Sequence, residues 1–175
     1  NWLLGHTPIS VEDVLIPSDV QYMPVIYGDN VSCSNITIDA GAELEVNDVE
    51  LTIYGDMDIS GTLSMSDANG IIRCYGNVDW QTGSTADFST ASMFYVQGHW
   101  YFNTGAAAQI QNGSVQFFGS GTGEIKNMSD NCSFNHVAIF KDYPGLLFIN
   151  SEGNPPALQI NGDLIINTGN TLINN

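Results

Sequence analysis

The chain has 175 residues, enough for one domain with a sizeable core, and carries 19 Asp and Glu against three Lys and Arg, a formal net charge of −16. That balance argues against nucleic acid, whose affinity rests on Lys and Arg at phosphates, and equally against anionic lipid surfaces and polyuronate substrates. No run approaches the ~18 apolar residues of a membrane span, so membrane insertion is not expected, and the acidic excess suits solubility in an extracellular medium.

In chain order, residues 1–30 do not fit the pattern that follows. Val14-Leu15-Ile16-Pro17 reads as one strand ended by proline and Met23-Pro24-Val25-Ile26 as another. The segment is expected to be an N-terminal cap, with Trp2 and Leu3 covering the first coil of a solenoid. The chain starts at Asn1 with no signal peptide and reads as a mature or excised piece.

The unit of the pattern is Leu51 to Met65. Three short alternating strands carry Leu51/Ile53, Met57/Ile59 and Leu63/Met65, with Gly55 and Gly61 at the corners. Successive strand side chains point to opposite faces, so a chain turning at each glycine sends all three apolar faces to a shared axis. The opening pair recurs as Ile36/Ile38, Leu51/Ile53, Ile72/Cys74, Phe94/Val96, Val115/Phe117, Val137/Ile139 and Leu158/Ile160, in steps of 15, 21, 22, 21, 22 and 21 residues. Corner glycines keep the same time: Gly55, Gly76, Gly98 and Gly119 in one series, and Gly41, Gly61, Gly83 and Gly105 in another. Repetition at this period marks stacked units that cover one another's hydrophobic faces.

Coils are expected at 31–48, 49–69, 70–91, 92–112, 113–132, 133–156 and 157–175. Trp80, Trp100 and Phe102 should face inward with Met57 and Ile59. Gly119 to Gly123 reads as a compressed corner, while Tyr143-Pro144-Gly145 and Gly153-Asn154-Pro155-Pro156 read as loops. Thr171-Leu172-Ile173 looks like a last strand with no cap after it, so the expected cover is further coils of the same polypeptide or a head-to-tail neighbouring subunit. No segment sustains helical spacing. The fold expected is all-β, a right-handed parallel β-helix of about seven coils over 31–175 behind the cap at 1–30.

Chemistry is sparser. Asp56 and Asp58 face outward in one coil, Asn77 and Asp79 in the next, and stacked coils lie about 4.8 Å apart. Asp58 and Asp79 are therefore expected neighbours. With Asp56 they form a candidate calcium site, calcium being the one cofactor considered, and a weaker candidate acid/base pair. The plainer reading, a solvated acidic face, is preferred because no Gly-Gly-x-Gly-x-Asp repeat is present. Tyr95 and Tyr101 face outward and are candidates to stack on sugar rings of surface glycans. Arg73, Lys126 and Lys141 fall in different coils, so no basic cluster forms for lyase chemistry, and catalysis is not expected. His6, His99 and His136 share no coil. Cys74 takes an inward rung, and Cys33 and Cys132 are too far apart in coils for a mutual disulfide.

Two stretches carry a resemblance. One runs from Asn1-Trp2 past Gly5 and Pro8, through Glu12-Asp13-Val14-Leu15-Ile16-Pro17 and Pro24-Val25-Ile26, to Asn35-Ile36-Thr37-Ile38-Asp39-Ala40-Gly41-Ala42-Glu43-Leu44. The other is Val115 to Ile125 followed by Phe134-Asn135-His136-Val137-Ala138-Ile139. Together they resemble solenoid domains of secreted Bacteroidota surface proteins, often type IX secretion cargo and including adhesins. The resemblance implies an extracellular or cell-surface setting and a spacer or adhesive role, and it carries over no catalytic residue. The expected function is thus an extracellular structural or adhesive module. A carbohydrate-binding or carbohydrate-active β-helix is the alternative.

Overall fold

A computed structural model describes residues 6–65, 69–142, 146–150, 157–167, 170 and 172–174. Trp2, Leu3 and the expected loops at 143–145 and 153–156 lie outside these residues. The described chain is all-β and contains no helix. Each coil crosses three walls in turn. The first coil is β1 (Val14–Ile16), β2 (Val25–Ile26) and β3 (Val31–Cys33). Next come β4 (Ile36–Ile38), β5 (Glu43–Val46) and β6 (Glu50–Ile53), then β7 (Met57–Ile59), β8 (Thr62–Met65) and β9 (Ile71–Cys74). These are followed by β10 (Val78–Trp80), β11 (Thr85–Phe88) and β12 (Met93–Val96), then β13 (Trp100–Phe102) and β14 (Ser114–Gly119). Beyond them lie β15 (Thr122–Asn127), β16 (Ser133–Phe134), β17 (His136–Lys141), β18 (Leu146–Asn150), β19 (Gln159–Ile160), β20 (Leu164–Ile166) and β21 (Leu172–Asn174).

Every pairing between these strands is parallel. The first wall stacks β1-β4-β7-β10-β13-β15-β18-β21 and the third wall β3-β6-β9-β12-β14-β17-β20. The second wall stacks only β2-β5-β8-β11, is interrupted, and resumes as β16-β19. The expected solenoid is present.

Its register differs from the sequence expectation at both ends. Val31/Cys33 stack under Leu51/Ile53, whereas Ile36/Ile38 stack under Met57/Ile59 on the first wall. Ile36/Ile38 therefore belong to the neighbouring ladder, and their short step of 15 is the trace of that. At the other end Val137/Ile139 continue to Leu164/Ile166, and Ile160 pairs with Phe134 on the second wall. The last step on the third wall, from Val137 to Leu164, is 27 residues, longer than the 21 or 22 of the coils before it. Strands β1 and β2 lie inside the segment assigned to the cap, yet they pair with β4 and β5, so the ladder begins at Val14. Residues 6–13 lie ahead of it, closed on themselves by Glu12 N–H to the Ile9 carbonyl and Ile9 N–H to Glu12 Oε2.

The core follows from the alternation. Cys74, Phe94 and Phe117 point inward with no exposed surface, as do Met57, Ile59, Trp80, Trp100 and Phe102. Trp100 meets Phe94 edge-on at 5.0 Å and also packs on Trp80, Phe102 and Phe134. The three cysteines are free and buried, and burial pushes the Cys33 and Cys74 thiols up to about 12.

The corner glycines meet two different needs, and both needs occur in each series: Gly119 holds positive φ, while a Cβ on Gly61 would lie 2.2 Å from the Ala42 carbonyl oxygen. Gly83 and Gly105 hold positive φ (81° and 79°), where a Cβ is strained. Gly76 needs space instead: a Cβ there would sit 2.3 Å from the Gly55 carbonyl oxygen in the coil below.

Candidate functional site

The corner before each first-wall strand is built from one side chain per coil. Asn35 Nδ2 donates to Asp13 Oδ1 (2.7 Å), and Asn35 Oδ1 accepts Asp56 N–H (2.8 Å). Asp56 Oδ1 accepts Asn77 N–H (2.7 Å), and Asn77 Oδ1 accepts His99 N–H (3.0 Å). Asp and Asn suit this position because a short side-chain oxygen reaches a backbone donor that the turn leaves without a strand partner. Asp56 thus has a structural task in the corner. These bonds do not set it beside Asp58 and Asp79 as a third ligand.

The series changes chemistry at His99. The next side chain up is Glu124, and His99 Nδ1 lies 3.7 Å from Glu124 Oε2. Tyr101, two residues on, donates its hydroxyl to the same oxygen at 3.2 Å, and the His99 and Tyr101 rings stack at 5.4 Å. Burial, then the Glu124 charge, pushes the Tyr101 hydroxyl up to about 12.

Along the outer face of the first wall the register runs Thr37, Asp58, Asp79, Tyr101, Lys126. Asp58 and Asp79 are direct neighbours, as expected. Tyr101 stands next in the same row, so two candidate sites that the sequence keeps apart share one surface. Desolvation pushes the Asp79 carboxyl up; Asn103, which donates to Asp79 Oδ1 at 3.5 Å, lowers it, and the Asp58 charge adds to the rise. Among the described residues no group of three or more His, Cys, Asp or Glu is placed to hold a metal ion.

Tyr95 lies elsewhere. It faces outward on the third wall, with the Arg73 guanidinium 4.4 Å over its ring and Phe118 edge-on at 6.3 Å. Arg73 is held from its other side by Glu50 Oε1 at 2.9 Å. An aromatic row accompanies this cluster. Tyr54 and Tyr75 stack at 5.7 Å, Tyr75 meets Phe118 edge-on, and Phe118 pairs with Phe140. The sequence carries a signal for this row that the inward ladders hide: an aromatic immediately before the corner glycine in Tyr54-Gly55, Tyr75-Gly76 and Phe118-Gly119. His99 and Glu124 were legible too, as the residues that break the Asp13, Asn35, Asp56, Asn77 series.

His6 pairs with Glu12, and His136 Nδ1 accepts Asp163 N–H. The three histidines do not converge. Lys141 is buried at the end of β17, where its Nζ donates to the Gln97 carbonyl oxygen, and burial pushes its pKa down to about 8.

The first-wall face therefore offers two adjacent carboxylates, a hydroxyl–carboxylate–imidazole cluster and a neighbouring lysine. It can accept and donate hydrogen bonds to polyols, and its carboxylates can attract a cation. Among the described residues no helix is long and apolar enough to cross a membrane. No family model matches this sequence, and neither a curated protein nor a solved structure matches it.

Proposed function

We propose that the chain is an extracellular structural or adhesive module, a rigid spacer of a cell-surface protein. The observation that carries this reading is the unbroken first-wall ladder from β1 to β21 over a closed aromatic core. A stack in which each coil is paired to the next on at least two walls resists bending, and a strongly acidic exterior keeps such a rod soluble and separated from its neighbours. The expected partners are further coils of the same polypeptide or a neighbouring subunit, together with surface glycans. Strand β20 is the last described strand of its wall, and Leu164 and Ile166, at inward positions of the ladder, are 44% exposed, an apolar surface such a partner would cover. The test is accessibility on intact source cells: antibody labelling and protease cleavage without lysis are the expected result, and labelling only after lysis overturns the proposal.

The alternative, a carbohydrate-binding or carbohydrate-active β-helix, is favoured in its active form by one observation, the cluster of Tyr101, His99 and Glu124 beside Asp79. Release of reducing sugar from neutral polysaccharides that Glu124→Gln abolishes would establish it in place of the spacer reading.

A further inference from the structure

Among the described residues the regular stack fails on the second wall, and the failure leaves a groove. After β13 the segment 106–111 keeps the inward alternation, with Ala106, Ala108 and Ile110 buried, but forms no strand. Its backbone folds on itself instead. Gln109 N–H bonds the Ala107 carbonyl and Gln111 N–H bonds the Gln109 carbonyl, two successive three-residue turns. The contracted segment is joined to the next coil by one isolated bridge, Gln109 to Ser133, made of Ile110 N–H to the Ser133 carbonyl and Ser133 N–H to the Ala108 carbonyl.

Two hollows flank it and share Gln109 and Gln111 as a common wall. One, of about 340 Å³, lies against Gln159 and Asn161, with Ser133 at its floor and Asp130 and Asn131 among its lining. The other, of about 250 Å³, lies against Thr85 and Asp87, with Ala107 between. Both linings combine a small residue, Ser133 or Ala107, with longer amides and carboxylates. The amides are set in pairs: Gln111 Nε2 donates to Gln109 Oε1 at 2.9 Å, and Gln159 Nε2 to Asn161 Oδ1 at 3.0 Å.

We infer that this groove is a binding site for a neutral, hydroxyl-rich oligosaccharide, and is the adhesive surface of the module proposed above, on which this inference rests. Hydroxyl groups donate and accept, and so do primary amides, so a double row of Gln and Asn matches a sugar edge. No Lys or Arg lines either hollow, and Asp87 and Asp130 repel acidic sugars. An extended peptide is the lesser fit. Strand addition takes its specificity from pockets for alternate side chains, and the lining here is mostly Gln, Asn, Asp, Ser and Thr, with Ala86, Phe88 and Ala107 as apolar members of one hollow.

The test is a titration of the intact, isotope-labelled chain with cellohexaose, mannohexaose and maltohexaose, with tetragalacturonate as the acidic counterpart. The side-chain NH₂ resonances of Gln109, Gln111, Gln159 and Asn161 should shift with at least one neutral hexasaccharide and not with tetragalacturonate. Gln111→Ala and Gln159→Ala, both at exposed positions, should each weaken that binding about tenfold, the loss of one or two hydrogen bonds. Shifts centred on Tyr101 or Tyr95, binding unaffected by both substitutions, preference for tetragalacturonate, or no binding by any neutral hexasaccharide would each overturn the groove assignment. Such results would leave the spacer proposal to the cell-surface accessibility test, which does not depend on the groove.

Discussion

The corner series distinguishes a structural Asp56 from a calcium-binding one. Asp56 Oδ1 accepts Asn77 N–H at 2.7 Å, the same task that Asn77 Oδ1 performs for His99 N–H one coil up. Replacing Asp56 by Asn keeps an oxygen at that place and removes a negative charge from a corner near Asp58 and Asp79, so Asp56→Asn should change stability by less than about 0.5 kcal/mol. Asp56→Ala and Asn77→Ala each delete one acceptor for a turn N–H and should cost about 1 kcal/mol, a fall of roughly 2–4 °C in Tm for a chain of this length. Asn35→Ala deletes three bonds, to Asp13 Oδ1, to Ser34 Oγ and from Asp56 N–H, and should cost about 2 kcal/mol. Urea unfolding followed by circular dichroism, with and without calcium, gives the order. If Asp56→Asn loses as much as Asp56→Ala, or if calcium stabilises the parent and not Asp56→Asn, the corner-acceptor argument is refuted.

Trp100→Ala should cost about 3–5 kcal/mol in the same assay, because Trp100 is fully buried among four aromatic rings. Trp100→Phe should cost much less, since it also removes a buried indole N–H that has no hydrogen-bond partner in the protein. Asp79→Asn should raise Tm at pH 7: the folded-state pKa is raised, so the charged form is disfavoured above it, and the gain should shrink as pH falls through that raised value. A fall in Tm at pH 7 in calcium-free buffer would refute this. Lys141 has its folded pKa depressed to about 8 from 10.5, so between those values the unfolded chain binds more protons and stability should rise with pH. Lys141→Met should flatten that rise from pH 8 to 10, and an unchanged slope would show that the amine is not held out of water.

The interior was legible where alternation and period agree. The rungs from Leu51 to Ile139 could be placed because each side chain repeats at 21 or 22 residues and only one face can be apolar. The first rung was misplaced because Ile36/Ile38 and Val31/Cys33 both alternate, and a cysteine reads less clearly than an isoleucine as core. The break in the second wall was hidden for a similar reason. Ala106, Ala108 and Ile110 keep the inward pattern of a strand, and nothing in residue type announces that the backbone contracts at Gln109. On the outer face, Asp58 and Asp79 could be paired from their spacing alone. The grouping of Tyr101 with His99 and Glu124 could not, because it depends on side chains crossing from one coil to the next.

The first-wall ladder also fixes how the molecule would respond to tension. Each strand there is paired only with the strands one coil before and after it, so a pulling force applied at an end meets one coil at a time. The chain would pay out in discrete increments, each releasing about 21 residues, or roughly 70 Å of extended backbone. A stack of this design would lengthen under strain while its remaining coils keep their shape, and would re-form by zipping onto the coil that still stands.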